Sequence, residues 1–171
     1  MNMSINKMYF IAHRGNIDGI NQERENSPDY IREALDKGYD VEIDVWFING
    51  EWFLGHDEPQ YKTELDFLRN KRLWCHAKNI NALEEMLRYN GYYEEIIGEY
   101  AKPGIHCFWH QEDNYTITSR GIIWAYPNKP LTKKAICVLP EKSPDIDFNH
   151  TEFRGFCSDY IEQYKNIYSI L

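Results

Sequence analysis

His13-Arg14-Gly15, Glu42-x-Asp44 and His56-Asp57 each fall where an apolar run ends or turns, and His76-x-Lys78 forms a fourth cluster of the same kind. Glu42 and Asp44 lie two apart in a segment of period two, which points both side chains to one face of a strand. Two hard oxygen donors on one face suit Mg²⁺ or Ca²⁺, ions that take oxygen ligands and keep open positions for phosphate. Histidines titrate near neutral pH, so imidazoles placed around such an ion can pass protons. Arg14 offers a planar fork and Lys78 a point charge to a phosphoryl group. Taken singly, each cluster has a plainer reading: a strand-end histidine held in the core or at the surface, or a solvated strand face. Taken together, they are what cleavage of a phosphodiester requires.

The elements that must position these residues are legible as patterns. Tyr9-Phe10-Ile11-Ala12 reads as a buried strand that stops at His13-Arg14-Gly15. A loop from Asn16 to Asn26 leads to a helix with Ser27 as N-cap, Pro28 and Asp29 in its first turn and Gly38 just past its end. From Tyr39 to Phe47, Val41, Ile43 and Val45 alternate with Asp40, Glu42, Asp44 and Trp46, the pattern of a strand. Asn49-Gly50 signals a hairpin with Trp52-Phe53-Leu54 as its return strand, so that His56-Asp57 follows directly. Leu73 to Ala77 reads as another strand, and Asn79 onward as a helix with Leu83, Met86 and Leu87 on one face and Glu84 paired with Arg88. Further strands are expected at Ile105–Trp109, Gly121–Tyr126, Ala135–Leu139 and Gly155–Ser158, and further helices at Tyr93–Tyr100 and Ile161–Ile170. Strands alternating with helices favour a parallel α/β sheet or barrel over a sandwich.

Composition narrows the classes. The chain of 171 residues carries 19 Lys plus Arg against 27 Asp plus Glu, a net charge of −8, and reads as one domain over 1–171. Such an acidic balance argues against a nucleic-acid surface. The apolar runs fall far short of the roughly 20 residues needed to span a bilayer. Met1 to Lys7 is polar and lacks the apolar core of a secretory leader. Cys75, Cys107, Cys137 and Cys157 are widely spaced within apolar stretches with no Cys-x-x-Cys pair, the pattern of reduced core thiols in a cytoplasmic protein.

The order His13-Arg14-Gly15, Glu25-Asn26-Ser27, Ala34 with Gly38, Glu42-Ile43-Asp44-Val45 and Gly55-His56-Asp57 resembles the signature of glycerophosphodiester phosphodiesterases, in the PI-PLC-like phosphodiesterase superfamily. Leu73 to Asn79 is similar to that family's next strand, and Gly155-Phe156-Cys157-Ser158-Asp159-Tyr160 to its closing one. The resemblance implies a TIM (β/α) barrel with its site at the C-terminal ends of the strands. Such barrels run to about 250 residues, so this one is expected to be compact and irregular, with a shortened second half and no inserted cap domain.

By the same resemblance His13 and His56 are the general acid and base, Arg14 and Lys78 bind the phosphate, and Glu42 and Asp44 bind the metal. A glycerol hydroxyl of the substrate attacks phosphorus while one histidine takes its proton and the other protonates the leaving alcohol. Water later opens the cyclic phosphate. One position departs from the family: an acidic ligand is expected two residues before the lysine, and His76 stands there. Either His76 ligates, which suits Mn²⁺ or Zn²⁺ better than Ca²⁺, or the ion rests on two carboxylates and water, as Mg²⁺ often does. His110 and Trp124, near the ends of later strands, are candidate substrate contacts. The expected partner is a small phosphodiester. The competing reading is a non-catalytic phosphate- or metal-binding module on the same scaffold.

Overall fold

The alternating segment around Glu42 becomes the longest strand, and the rest of the sheet is assembled on its two edges. The computed structural model describes residues 8–91 and 104–169. In chain order the elements are β1 (Tyr9–His13), α1 (Pro28–Asp36), β2 (Asp40–Ile48), β3 (Glu51–Leu54), β4 (Tyr61–Thr63), α2 (Leu65–Leu68) and β5 (Leu73–Ala77). They continue with α3 (Ile80–Gly91), β6 (Cys107–Trp109), β7 (Tyr115–Ile117), β8 (Ile123–Ala125), β9 (Ala135–Val138), β10 (Gly155–Ser158) and α4 (Ile161–Tyr168). The Ser27 side chain caps α1 through the Tyr30 N–H, and Gly38 past its end takes φ +86°. Asn49 and Gly50 both have positive φ, the condition for a tight two-residue hairpin between β2 and β3.

β2 pairs in parallel with β1 on one side and β5 on the other, with Ala12 beside Val41 and His76 beside Asp44. Its far end pairs antiparallel with β3, and β3 with β4. Beyond β1 the order runs β10, β9, β8, all parallel, and then β7, which is antiparallel to β8; β6 lies outside β5. The sheet curls until β6 and β7 meet, where the Ser119 N–H donates to the Cys107 carbonyl at 2.7 Å and the Thr116 hydroxyl to the Trp109 carbonyl at 2.8 Å. No strand ladder joins them among the described residues.

The architecture is therefore a curled ten-stranded mixed sheet, a half-barrel with few helices, and not the compact TIM barrel expected from the sequence. Three helices of more than one turn are described, following β1, β5 and β10. The Asn49-Gly50 turn sends β2 into a hairpin where a barrel would place a helix. Pro127, Pro130, Pro140 and Pro144 punctuate the connections from β8 to β10, and proline inside a helix removes a hydrogen bond and clashes with the preceding turn. Only the 3₁₀ turn Pro140–Lys142 forms in that stretch. β4, β7 and the one-turn α2 were not foreseen, Arg88 pairs with Glu85 and not Glu84, and the helix expected at Tyr93–Tyr100 lies outside the described residues. No helix among the described residues is long and apolar enough to cross a membrane.

The two faces of the sheet have separate cores. Val41, Ile43, Val45 and Cys75 pack outward with Ile31, Ala34, Met86 and Ile161 of the helices. Ile11, Trp74, Phe108, Trp124, Ile136, Val138 and Cys157 form a second cluster on the concave face. β2 is thus buried on both sides, and the inner side carries Glu42 and Asp44. All four cysteines are buried and free.

Within the concave core, His106 is 1% exposed, its ring 4.2 Å from that of Trp74, and neither ring nitrogen has a hydrogen-bond partner. Burial pushes its pKa from 6.5 down to about 3. Between those values the unfolded chain binds a proton that the folded chain refuses, so stability is complete above about pH 6.5 and falls as the pH drops. His106→Phe should flatten this acid limb, removing a slope of about 1.4 kcal/mol per pH unit. Urea midpoints from pH 7 to pH 4 test this, and an unchanged acid slope in the variant would contradict it.

Candidate active site

The C-terminal ends of the parallel strands open into a cavity of about 520 Å³, and every candidate residue read from the sequence borders it. His13 and Arg14 come from the end of β1, Glu42 and Asp44 from β2, and His76 and Lys78 from the end of β5. His110 follows β6, Trp124 belongs to β8, and His56 reaches in from the loop after β3. Glu112, two residues past His110, is exposed and does not border the cavity.

The turn after β1 holds Arg14 at φ +53° and Gly15 at φ +91°. A Cβ on Gly15 would meet the Tyr30 ring at 2.9 Å, so only glycine allows this turn beside α1. The Arg14 N–H donates to the Glu42 carbonyl, which ties the turn to β2. The Arg14 guanidinium places Nη1 3.2 Å from Glu25 Oε2 and Nε 3.1 Å from Asp44 Oδ2, the second an ion pair without hydrogen-bond alignment.

Asp44 is clamped from behind. Asn26 Nδ2 donates to Asp44 Oδ2 at 2.9 Å, and Asn26 Oδ1 accepts the Asp44 N–H at 2.9 Å. Asp44 Oδ1 faces His76 Nδ1 at 3.1 Å and Lys78 Nζ at 3.5 Å. Burial would raise the pKa of Asp44, but His76, Arg14 and Lys78 outweigh it and hold the carboxyl below the usual range. Glu42 is 3% exposed, and burial together with the Asp44 charge raises its pKa. Its Oε2 has no hydrogen-bond partner. Glu42, Asp44 and His76 each offer a ligand atom within 4.8 Å of the others. A buried, unpartnered carboxylate oxygen beside two further donors fits a divalent cation.

Replacing Asn26 by alanine strips both partners from the back of Asp44. The expected cost is about 1–3 kcal/mol, the price of leaving buried polar groups unmet. A urea midpoint equal to wild type in Asn26→Ala would contradict this role.

His13 Nδ1 lies 2.7 Å from Asp159 Oδ1. A carboxylate only accepts, so Nδ1 carries the proton and Nε2 is turned toward Glu42 Oε2, 3.9 Å away. Burial lowers the pKa of His13, but the Asp159 hydrogen bond and the Glu42 charge prevail and raise it. Asp159 is itself held by Asn16 Nδ2 at 2.8 Å and by its own N–H, which donates to Glu141 Oε1 at 3.1 Å. His56 is more exposed, has Nδ1 2.7 Å from Asp57 Oδ1, and has its pKa lowered by burial. Its loop turns at Gly55, φ +148°, where a Cβ would come within 2.1 Å of the Glu58 carbonyl oxygen.

The two candidate substrate contacts differ. His110 stands at the cavity wall with its ring 3.4 Å from that of Tyr126. Trp124 is 2% exposed and packs on Phe108 and Trp74, so it is floor more than contact surface. The sequence reading assigned no role to Asp159, Asn16, Asn26, Glu25 or Glu141. Asp159 carried a usable signal: it directly follows a parallel strand, as Arg14 does β1, and the same end of β5 is followed by Lys78. No protein-family model, curated protein or solved structure matches this chain.

Proposed function

We propose that the chain is a metal-assisted phosphodiesterase acting on a glycerophosphodiester. The observation that carries this reading is a pair of imidazoles on one cavity, each with Nδ1 2.7 Å from an aspartate, His13 on Asp159 and His56 on Asp57. They share that cavity with paired carboxylates and two fixed cations. A site that only bound phosphate would have no use for a proton acceptor and donor.

His13, with its tautomer set by Asp159, accepts through Nε2 the proton of the substrate hydroxyl that attacks phosphorus. The bond from phosphorus to the leaving alcohol breaks, and that alcohol takes a proton from His56. Water then opens the cyclic phosphate with the two roles exchanged. Arg14 and Lys78, both fixed against Asp44, offer their remaining donors to the phosphoryl oxygens. Glu42 and Asp44 would hold a divalent ion, which would supply positive charge near the phosphoryl oxygens. Four buried, free cysteines support a reducing compartment such as the cytoplasm.

The experiment compares two leaving groups, choline and p-nitrophenol, on the same glycerophosphate. p-Nitrophenolate leaves without a proton, so His56→Ala should keep far more of its rate on the aryl diester than on glycerophosphocholine. His13→Ala should lose turnover on both. Equal losses for both variants on both substrates would overturn the division of roles, and wild-type rates in both would overturn the reading itself.

A further inference from the structure

We infer that the cation site is built for a first-row transition ion, held through His76 Nδ1, in preference to Mg²⁺ or Ca²⁺. The inference rests on the reading above only for what the ion is used for. His76 Nε2 lies 3.1 Å from the His110 carbonyl oxygen. A carbonyl can only accept, so Nε2 carries the ring proton and, in the neutral imidazole, Nδ1 presents its lone pair. That lone pair faces Asp44 Oδ1 at 3.1 Å and Glu42 Oε1 at 3.8 Å, both acceptors. Without a cation the Nδ1 contact with Asp44 Oδ1 is a hydrogen bond that needs a proton on Nδ1, and Lys78 Nζ stands 3.5 Å from the same oxygen. A divalent ion replacing that proton would be met by three converging electron-pair donors, next to the buried and unpartnered Glu42 Oε2.

The ring is fixed in that orientation. Phe108 lies parallel to it, 5.1 Å between centroids at 4°, and the Nε2–H to a backbone carbonyl is the tether that ligating histidines typically use. The 3.1 Å from Nδ1 to Oδ1 is the spacing of two adjacent ligands each about 2.1 Å from one ion. Asp44 can spare only Oδ1, because Asn26 and Arg14 occupy Oδ2. Ca²⁺ seeks 6–8 oxygens and Mg²⁺ an all-oxygen shell. An imidazole with two single carboxylate oxygens is instead a donor set for Mn²⁺, Co²⁺ or Zn²⁺.

The test is calorimetric titration of the folded protein with Mn²⁺, Co²⁺, Zn²⁺, Mg²⁺ and Ca²⁺ chlorides, with no substrate present. Most mixed sites favour later transition ions to some degree, so the deciding quantity is the change in preference on mutation. His76→Glu should lower the ratio of Zn²⁺ to Mg²⁺ affinity by about tenfold or more, the scale on which supporting groups tune metal binding. Glu42→Gln should remove binding of every ion. Bound Mn²⁺ should show nitrogen hyperfine coupling by pulsed electron paramagnetic resonance, lost in His76→Glu. His76→Gln gives the same comparison should His76→Glu fail to fold.

An unchanged ratio, absent nitrogen coupling, or no binding by folded wild type would each overturn the proposal. The last would mean that a proton on His76 or the Lys78 ammonium satisfies the carboxylates. Because no diester is present, failure here leaves phosphodiester hydrolysis to be judged by its own assay.

Discussion

His13→Ala is expected to lower kcat on glycerophosphocholine by on the order of 10³-fold, within the range of a lost general base, with KM and the melting transition close to wild type. The ring is removed from a cavity wall, not from either apolar core, and Asp159 keeps Asn16 Nδ2 and the Glu141 contact through its backbone. Asp159→Asn isolates orientation from proton transfer. Its amide has nearly the shape of the carboxylate but can present a donor to His13 Nδ1, leaving Nε2 in the wrong protonation state for accepting a proton. The expected loss is on the order of 10²–10³-fold in kcat, by analogy with other histidine dyads that lose their orienting carboxylate. Steady-state kinetics on both variants checks this. A rate near wild type for either one would remove His13 from the mechanism, whereas a rise in KM with kcat intact would make it a binding group.

Gly155→Ala should be strongly destabilising, because its added methyl has no room between two paired strands. β10 crosses β1 so closely at Gly155 that a Cβ would lie 2.3 Å from the Tyr9 carbonyl oxygen and 2.7 Å from Tyr9 Cβ. Both obstacles are backbone or its first side-chain atom, so neither can swing away, and the strands must separate. The expected cost is about 3 kcal/mol, at the upper end for overpacking. Gly38→Ala is the control: nothing lies within 4 Å of its added Cβ, but its φ is +86°, which costs an L-residue about 1–2 kcal/mol. The site also depends on the β1–β10 contact, because β1 ends in His13 and β10 is followed by Asp159. Gly155→Ala should therefore lose activity out of proportion to any residual folding. Urea unfolding of the two variants compares them directly, and a cost for Gly155→Ala no larger than for Gly38→Ala would contradict the close-packing argument.

The site was more legible in the sequence than the fold. Glu42 and Asp44 could be placed on one face because strand period is local, and Ser27, Gly38 and Asn49-Gly50 mark boundaries by their own backbone and capping preferences. Whether a strand is followed by a helix or by a turn is decided by the connection, and here the resemblance to a barrel family outweighed signals already present. The Asn49-Gly50 hairpin and the prolines between β8 and β10 both argued against a helix after each strand. β4 and β7 are three residues each, too short to show a period. Asp159, Asn16 and Asn26 act through contacts 146, 143 and 18 residues away in sequence, and no local pattern encodes such a partner.

Whether this cavity breaks phosphodiester bonds is visible at phosphorus itself, by phosphorus-31 NMR of wild-type protein with glycerophosphocholine and a divalent cation. The diester resonance should give way to a phosphomonoester, with a cyclic phosphate in transit, only when the cation is present. An unchanged diester resonance over folded, cation-loaded protein would contradict it and leave a module that holds phosphate or metal without turning it over.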